Sequence, residues 1–163
     1  MYKKLRIMNI FYLSHDPKLA AKYQYNKHIV KMPLESAQML CTVQRYYGNE
    51  NVPYKSTHLN HPSTIWARSQ KLYYQWLYDH MLALGKIYTE RYNKIHLVIE
   101  KCKDLLYEPP YNIPDDDIWV DPPQCMPDEY KVEGDSIKAY WNFYINGKKH
   151  IANKNEIIHT KQL

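Results

Sequence analysis

Asn26-Lys27-His28-Ile29-Val30-Lys31-Met32-Pro33-Leu34-Glu35-Ser36-Ala37-Gln38-Met39-Leu40-Cys41-Thr42-Val43-Gln44-Arg45-Tyr46-Tyr47, closed by Gly48, is the stretch on which the fold turns. At about 100° per residue, a helix here places His28, Lys31, Glu35, Gln38 and Thr42 within a strip roughly 60° wide. Ile29, Val30, Leu34, Ala37, Leu40 and Cys41 fill the adjoining faces, and Met32, Met39 and Val43 cover much of the rest. A helix apolar over most of its circumference is buried. Its polar strip must then meet water, a cavity or polar partners from elsewhere in the chain. Pro33 either kinks this helix or starts a second one.

Reading outward, Ile7 to Leu13 is short, apolar and partly β-branched or aromatic, which predicts a strand or an extended segment. Asp16-Pro17 then starts a helix running to about Tyr25, with Asp16 as cap and Pro17 at its first position. Gly48 to Asn60 is a polar loop. His61-Pro62-Ser63 opens a helical region anchored by Trp66, Leu72, Trp76 and Leu77, continuing with a break to about Tyr92, where Asn93 ends it in a left-handed conformation. A shorter helix covers Ile95 to Leu106. Between Glu108 and Gly134 six prolines prevent regular helix, and Ile118, Trp119, Val120 and Met126 favour a loop packed across the body. Asp135 or Ser136 caps a last helix, Ile137 to Ile145, and a polar, basic tail follows from Lys148. The expectation is a mainly α protein, with a single helical domain over 1–147 and a flexible tail over 148–163. That domain carries a short N-terminal extended segment and a long Pro-rich loop before its last helix.

The 163 residues suit one domain able to bury its own core. A net charge of +5 is compatible with a phosphate-bearing partner, nucleic acid included, while no run of like charges marks a disordered basic arm. The 17 tyrosines enlarge the surface that can stack, or simply make an aromatic core with wet edges. Three widely spaced cysteines support neither a zinc ribbon nor a redox pair, and reduced thiols fit a cytoplasmic setting. No signal peptide or membrane-spanning stretch is expected. Phosphate-cradling glycine loops, nucleophile elbows and His-Glu-x-x-His pairs are all missing, which lowers the expectation of an enzyme.

Four constellations can carry chemistry. On the strip, His28 and Glu35 can act as base and orienter, and Lys31 can hold phosphate or pair with Glu35. His58 and His61 precede a helix, where they bind a ligand or act as caps, and Arg68 beyond them supplies a cation. Arg91, Tyr92, Lys94 and His96 surround a helix junction that can receive an anion or simply form a charged surface end. In the Pro-rich loop Gln124, Asp128 and Tyr130 are rigid recognition residues or turn residues. The catalytic candidates are His28, Glu35, His58 and Asp128. Neither a metal ion nor a cofactor is expected.

Met8-Asn9-Ile10-Phe11-Tyr12-Leu13, Asn26-Lys27-His28-Ile29-Val30-Lys31-Met32, Thr57-His58-Leu59-Asn60-His61-Pro62 and Pro123-Gln124-Cys125-Met126-Pro127-Asp128-Glu129-Tyr130 together resemble a family of small proteins of tailed bacteriophages, including phages of cyanobacteria. Arg91 to His96 belongs to the same pattern, and the resemblance spans roughly Met8 to Lys149. Pro33 departs from it, standing where the family pattern has an aliphatic residue. The resemblance implies a phage accessory protein in the cytoplasm of the infected host cell, and it carries no activity over. A looser similarity to pyrimidine-dimer DNA glycosylases implies an amine at the mature N-terminus, which the residues before Met8 displace unless translation starts there. Three functions follow as expectations. One is a binder that sequesters a nucleotide signal of host defence; the second is an enzyme on DNA bases or nucleotides using a His/Glu pair. The third is an inhibitor docking on a host protein. A homo-oligomer would suit a pocket completed between subunits.

Overall fold

In the computed structural model, which describes residues 8–153, the chain forms six α-helices. These are α1 (Pro17–Lys22), α2 (Asn26–Tyr46), α3 (Pro62–Ser69), α4 (Lys71–Tyr92), α5 (Leu97–Cys102) and α6 (Ser136–Asn142). The protein is mainly helical, as its sequence predicts, and the described residues contain no strand. Residues 8–13 are buried without pairing in a sheet, and Phe11 turns the chain through a left-handed conformation at φ 54°.

Local chemistry sets the helix limits. Asp16 accepts the Lys18 N–H at 2.8 Å, with Pro17 next to it, and Asp135 accepts the Lys138 N–H at 3.0 Å. His61 and His96 act in the same way, each taking an N–H of the following helix on Nδ1. Gln70, fully extended, separates α3 from α4, and Asn93 ends α4 at φ 55°. Pro33 does not start a second helix; α2 runs unbroken from Asn26 to Tyr46. Only the bond from residue 33 to the Ile29 carbonyl is missing, and burial of Ile29, Met32, Ala37 and Leu40 holds the helix on both sides of it. Helix α1 stops at Lys22 and α5 at Cys102, both short of the predicted ends. After α6 a π-turn spans Phe143–Gly147 and a 3-10 turn Lys149–Ile151. Ile151 and Ala152 pack on the core, while the rest of the predicted tail, from residue 154, and Met1 lie outside the described residues.

The core forms where α2 and α1 pack on α4, with the loop over 108–134 drawn across it. Aromatic side chains tie irregular backbone down, both in this loop and around residues 13–15 and 103–106. Tyr73, Tyr74, Tyr78 and Tyr140 donate to the carbonyls of Ile118, Leu106, Lys103 and Pro123 at 2.7–2.8 Å. The indole N–H groups of Trp66, Trp76 and Trp141 reach Val120, His15 and Leu13 at 2.8–2.9 Å. Without a sheet to pair these carbonyls, side-chain donors must satisfy them. Most of the tyrosine excess therefore has a structural explanation. No described helix is long and apolar enough to cross a membrane.

Candidate functional site

The strip on α2 meets the protein at both ends and opens in the middle. At its N-terminal end His28 is 8% exposed and stacks on Phe11, with ring centroids 4.3 Å apart and planes within 19°. Its Nδ1 lies 2.8 Å from the Tyr144 hydroxyl, whose oxygen also accepts the Tyr25 N–H at 2.7 Å. A neutral imidazole protonated on Nε2 satisfies this arrangement, accepting the Tyr144 O–H at Nδ1. Burial pushes His28 down to about 3, and the positive charges of Lys148, Lys31 and His150 act in the same direction. At the far end Thr42 Oγ1 donates to the Gln38 carbonyl at 2.8 Å and accepts the Thr57 N–H at 3.0 Å. Between these ends lie exposed Lys31 and half-buried Glu35 and Gln38, with Lys31 Nζ 3.9 Å from Glu35.

Phe11 is held in its left-handed turn by the Asn9 side chain, which accepts the Phe11 N–H at 2.9 Å and donates to the Cys125 carbonyl at 3.0 Å. A bulky aromatic at positive φ is strained, and such strain persists only where surrounding contacts impose it. Here it sets the ring over His28. From Phe11 the aromatic contacts continue to Phe143, at 6.3 Å, and from there to Tyr130, at 5.5 Å. Lys148 Nζ sits 5.2 Å from the centre of the Phe143 ring. Tyr130 is thus joined to the strip by rings rather than by sequence.

The other predicted residues serve the scaffold at separate places. His61 caps α3, and burial and the neighbouring His58 lower its pKa; His58 itself is exposed at φ 49°. Arg68 covers the Tyr46 ring at 4.4 Å. His96 caps α5 through Nδ1 and donates from Nε2 to the Val30 carbonyl at 2.8 Å, docking α5 on α2. Arg91 bonds the Asn26 side chain, Tyr92 leans on Tyr88 at 4.9 Å, and Lys94 is exposed. Gln124 accepts the Val132 N–H at 2.9 Å and returns a bond to the Val132 carbonyl, closing the loop on itself. Asp128 is fully solvated and pairs with Lys131 at 2.7 Å, which lowers its pKa. Among the described residues no three His, Cys, Asp or Glu side chains gather as metal ligands.

Sequence reading missed a second polar constellation. The Tyr12 hydroxyl lies 2.6 Å from His15 Nδ1 and donates to Asp121 Oδ1 at 2.9 Å. Trp119 Nε1 donates to the same oxygen at 2.8 Å. Burial, then the hydrogen bond to Asp121, raises the Tyr12 pKa, so the phenol keeps its proton. With that proton donated to Asp121, the Tyr12 oxygen is left to accept from His15 Nδ1, which also lies 3.5 Å from Asp121 Oδ1 on a side chain 67% exposed. The 105 residues between His15 and Asp121 left no sequence signal for it. The clustering of Lys148 and His150 near His28 was equally invisible, since both fell in a stretch that reads as tail. The chain matches no protein-family model, no curated protein and no solved structure.

Proposed function

We propose that this protein binds a phosphate-bearing, nucleotide-like ligand over the open middle of the α2 strip. The observation that carries this reading is electrostatic. Lys31 from α2 and Lys148 and His150 from beyond α6 all bear on His28. The two lysines, drawn to this face from distant segments, favour an anion there, which competes with the Glu35 carboxylate 3.9 Å from Lys31 Nζ. Lys31 and Lys148 hold phosphate oxygens, Gln38 offers amide groups to a base edge, and the rings of Phe143 and Tyr130 give a stacking surface. Binding needs no nucleophile. With the phage resemblance, the reading is that the protein sequesters a nucleotide signal of host defence.

The test is to incubate the protein with linear and cyclic nucleotides, separate it, denature it and identify what is released. Intact ligand supports sequestration. Lys31→Ala and Lys148→Ala should each weaken binding about tenfold, since a charge-assisted hydrogen bond contributes roughly 1.5–3 kcal/mol. No bound nucleotide, or binding indifferent to both variants, contradicts the proposal.

A second reading, an enzyme on nucleotides, is favoured by the Tyr12–His15–Asp121 relay. His28, at about 3, is a poor base near neutral pH, whereas the His15 ring lies open to solvent beside Tyr12 and Asp121. Altered ligand on release, lost on His15→Gln but kept in Lys31→Ala, would favour it.

A further inference from the structure

A trough of about 730 Å³ runs between α1 and α4, within the size range of ligand sites. Its floor is aliphatic, made by Leu82, Ala83 and Ile87, and its lining includes no aromatic ring on which a base could stack. Lys18, Lys22, Lys86 and Arg91 stand around it, against only Asp79 and Glu90. None of these four cations forms an ion pair among the described residues, Arg91 being engaged by the neutral side chain of Asn26. Burial raises the Asp79 pKa, and the charge of Lys18 acts against that rise.

We infer that this trough receives an acidic amphipathic helix of a partner protein. Three features favour that occupant. The lining runs along α4 from Asp79 to Arg91, about 18 Å of helix axis, which matches a docked helix of three turns. Residues 82, 83, 86, 87, 90 and 91 recur at helical spacing, so one face of α4 lines the trough, aliphatic at Leu82, Ala83 and Ile87 and charged at Lys86, Glu90 and Arg91. Ala83, in the middle, is small enough for a second backbone to approach closely. Carboxylates along the flanks of such a helix would answer the four cations, as helix-in-groove complexes require. The α2 strip, with its rings and phosphate-binding lysines, lies on different elements, and this surface does not depend on it.

The probes are two fluorescent eighteen-residue amphipathic helices with the same leucine face, one flanked by glutamates and the other by lysines. The full chain should bind the glutamate peptide, more weakly as salt rises, and discriminate against the lysine peptide. Lys22→Glu with Lys86→Glu, which reverses two rim charges, should weaken the glutamate peptide roughly tenfold and should strengthen the lysine peptide. Ala83→Trp, which fills the trough, should abolish binding of both, with the circular dichroism spectrum checking that each variant folds. Failure to bind the glutamate peptide, equal binding of both peptides, or indifference to the charge reversal would overturn the inference. So would capture of dodecyl phosphate with no peptide binding, which would assign the trough to a small amphiphile.

Discussion

His28 shows how a single side chain changes meaning between sequence and structure. On the α2 strip it reads as a base; buried against Phe11 and Tyr144, it is a neutral ring whose proton affinity is pushed down to about 3. His80, enclosed between Gln24 and the Pro17 carbonyl, is pushed down to about 4 for the same reason, loss of hydration of the charged form. The consequence for stability has a definite sign. Below about pH 6.5 the unfolded chain binds protons at both rings that the folded chain refuses, so stability falls with pH until the folded rings titrate near 4 and 3. The urea midpoint is expected to drop steeply between pH 6.5 and 4, and His28→Gln should flatten part of that slope. A midpoint flat over this range would mean that both rings are protonated in the folded protein.

At the scale of elements, the helices were legible because their signals are local. Apolar spacing, Asp16-Pro17, Asp135 and Asn93 each act within a turn, and the observed limits follow them. The loop over 108–134 was legible only as irregular, since its hold depends on rings from elsewhere. Tyr73 is the clearest case, donating to the Ile118 carbonyl at 2.8 Å and accepting the Val120 N–H at 3.0 Å. Tyr73→Phe should cost about 0.5–1.5 kcal/mol, the net contribution of a hydrogen bond, and should speed hydrogen exchange at the Val120 amide. Unchanged exchange would mean that Trp66 and Trp119 hold the loop without it. Gly85 makes the matching point inside a helix. An added Cβ there would overlap Ile99 Cγ1 and lie 2.8 Å from its Cδ1. Gly85→Ala should therefore destabilise by about 1–3 kcal/mol, although alanine is the better helix former, and Ile99→Ala should restore much of the loss. If Gly85→Ala melts higher than the parent, Ile99 is free to move aside.

Across the whole molecule, the predicted site residues divide in a way that spacing could not foresee. Those sharing the α2 face stay together because one helix carries them, and Tyr130 joins them through Phe143 and Phe11. His61, His96 and Gln124 satisfy backbone groups instead, a role that the same residue types fill equally well. Lys148, His15 and Asp121 went unread because each also meets a group more than a hundred positions away in the chain. The molecule carries two cationic surfaces, one with rings and one with an aliphatic floor, which suits two ligands of different chemistry. The account rests most heavily on the first of them. Equilibrium titration with ATP and with a cyclic dinucleotide, at low and at physiological salt, tests it most directly. The expected result is binding by the wild-type chain that weakens as salt screens the charges and falls about a hundredfold in the Lys31→Ala, Lys148→Ala double variant. Binding of equal strength in the wild type and the double variant, or no binding of either nucleotide at low salt, would contradict it.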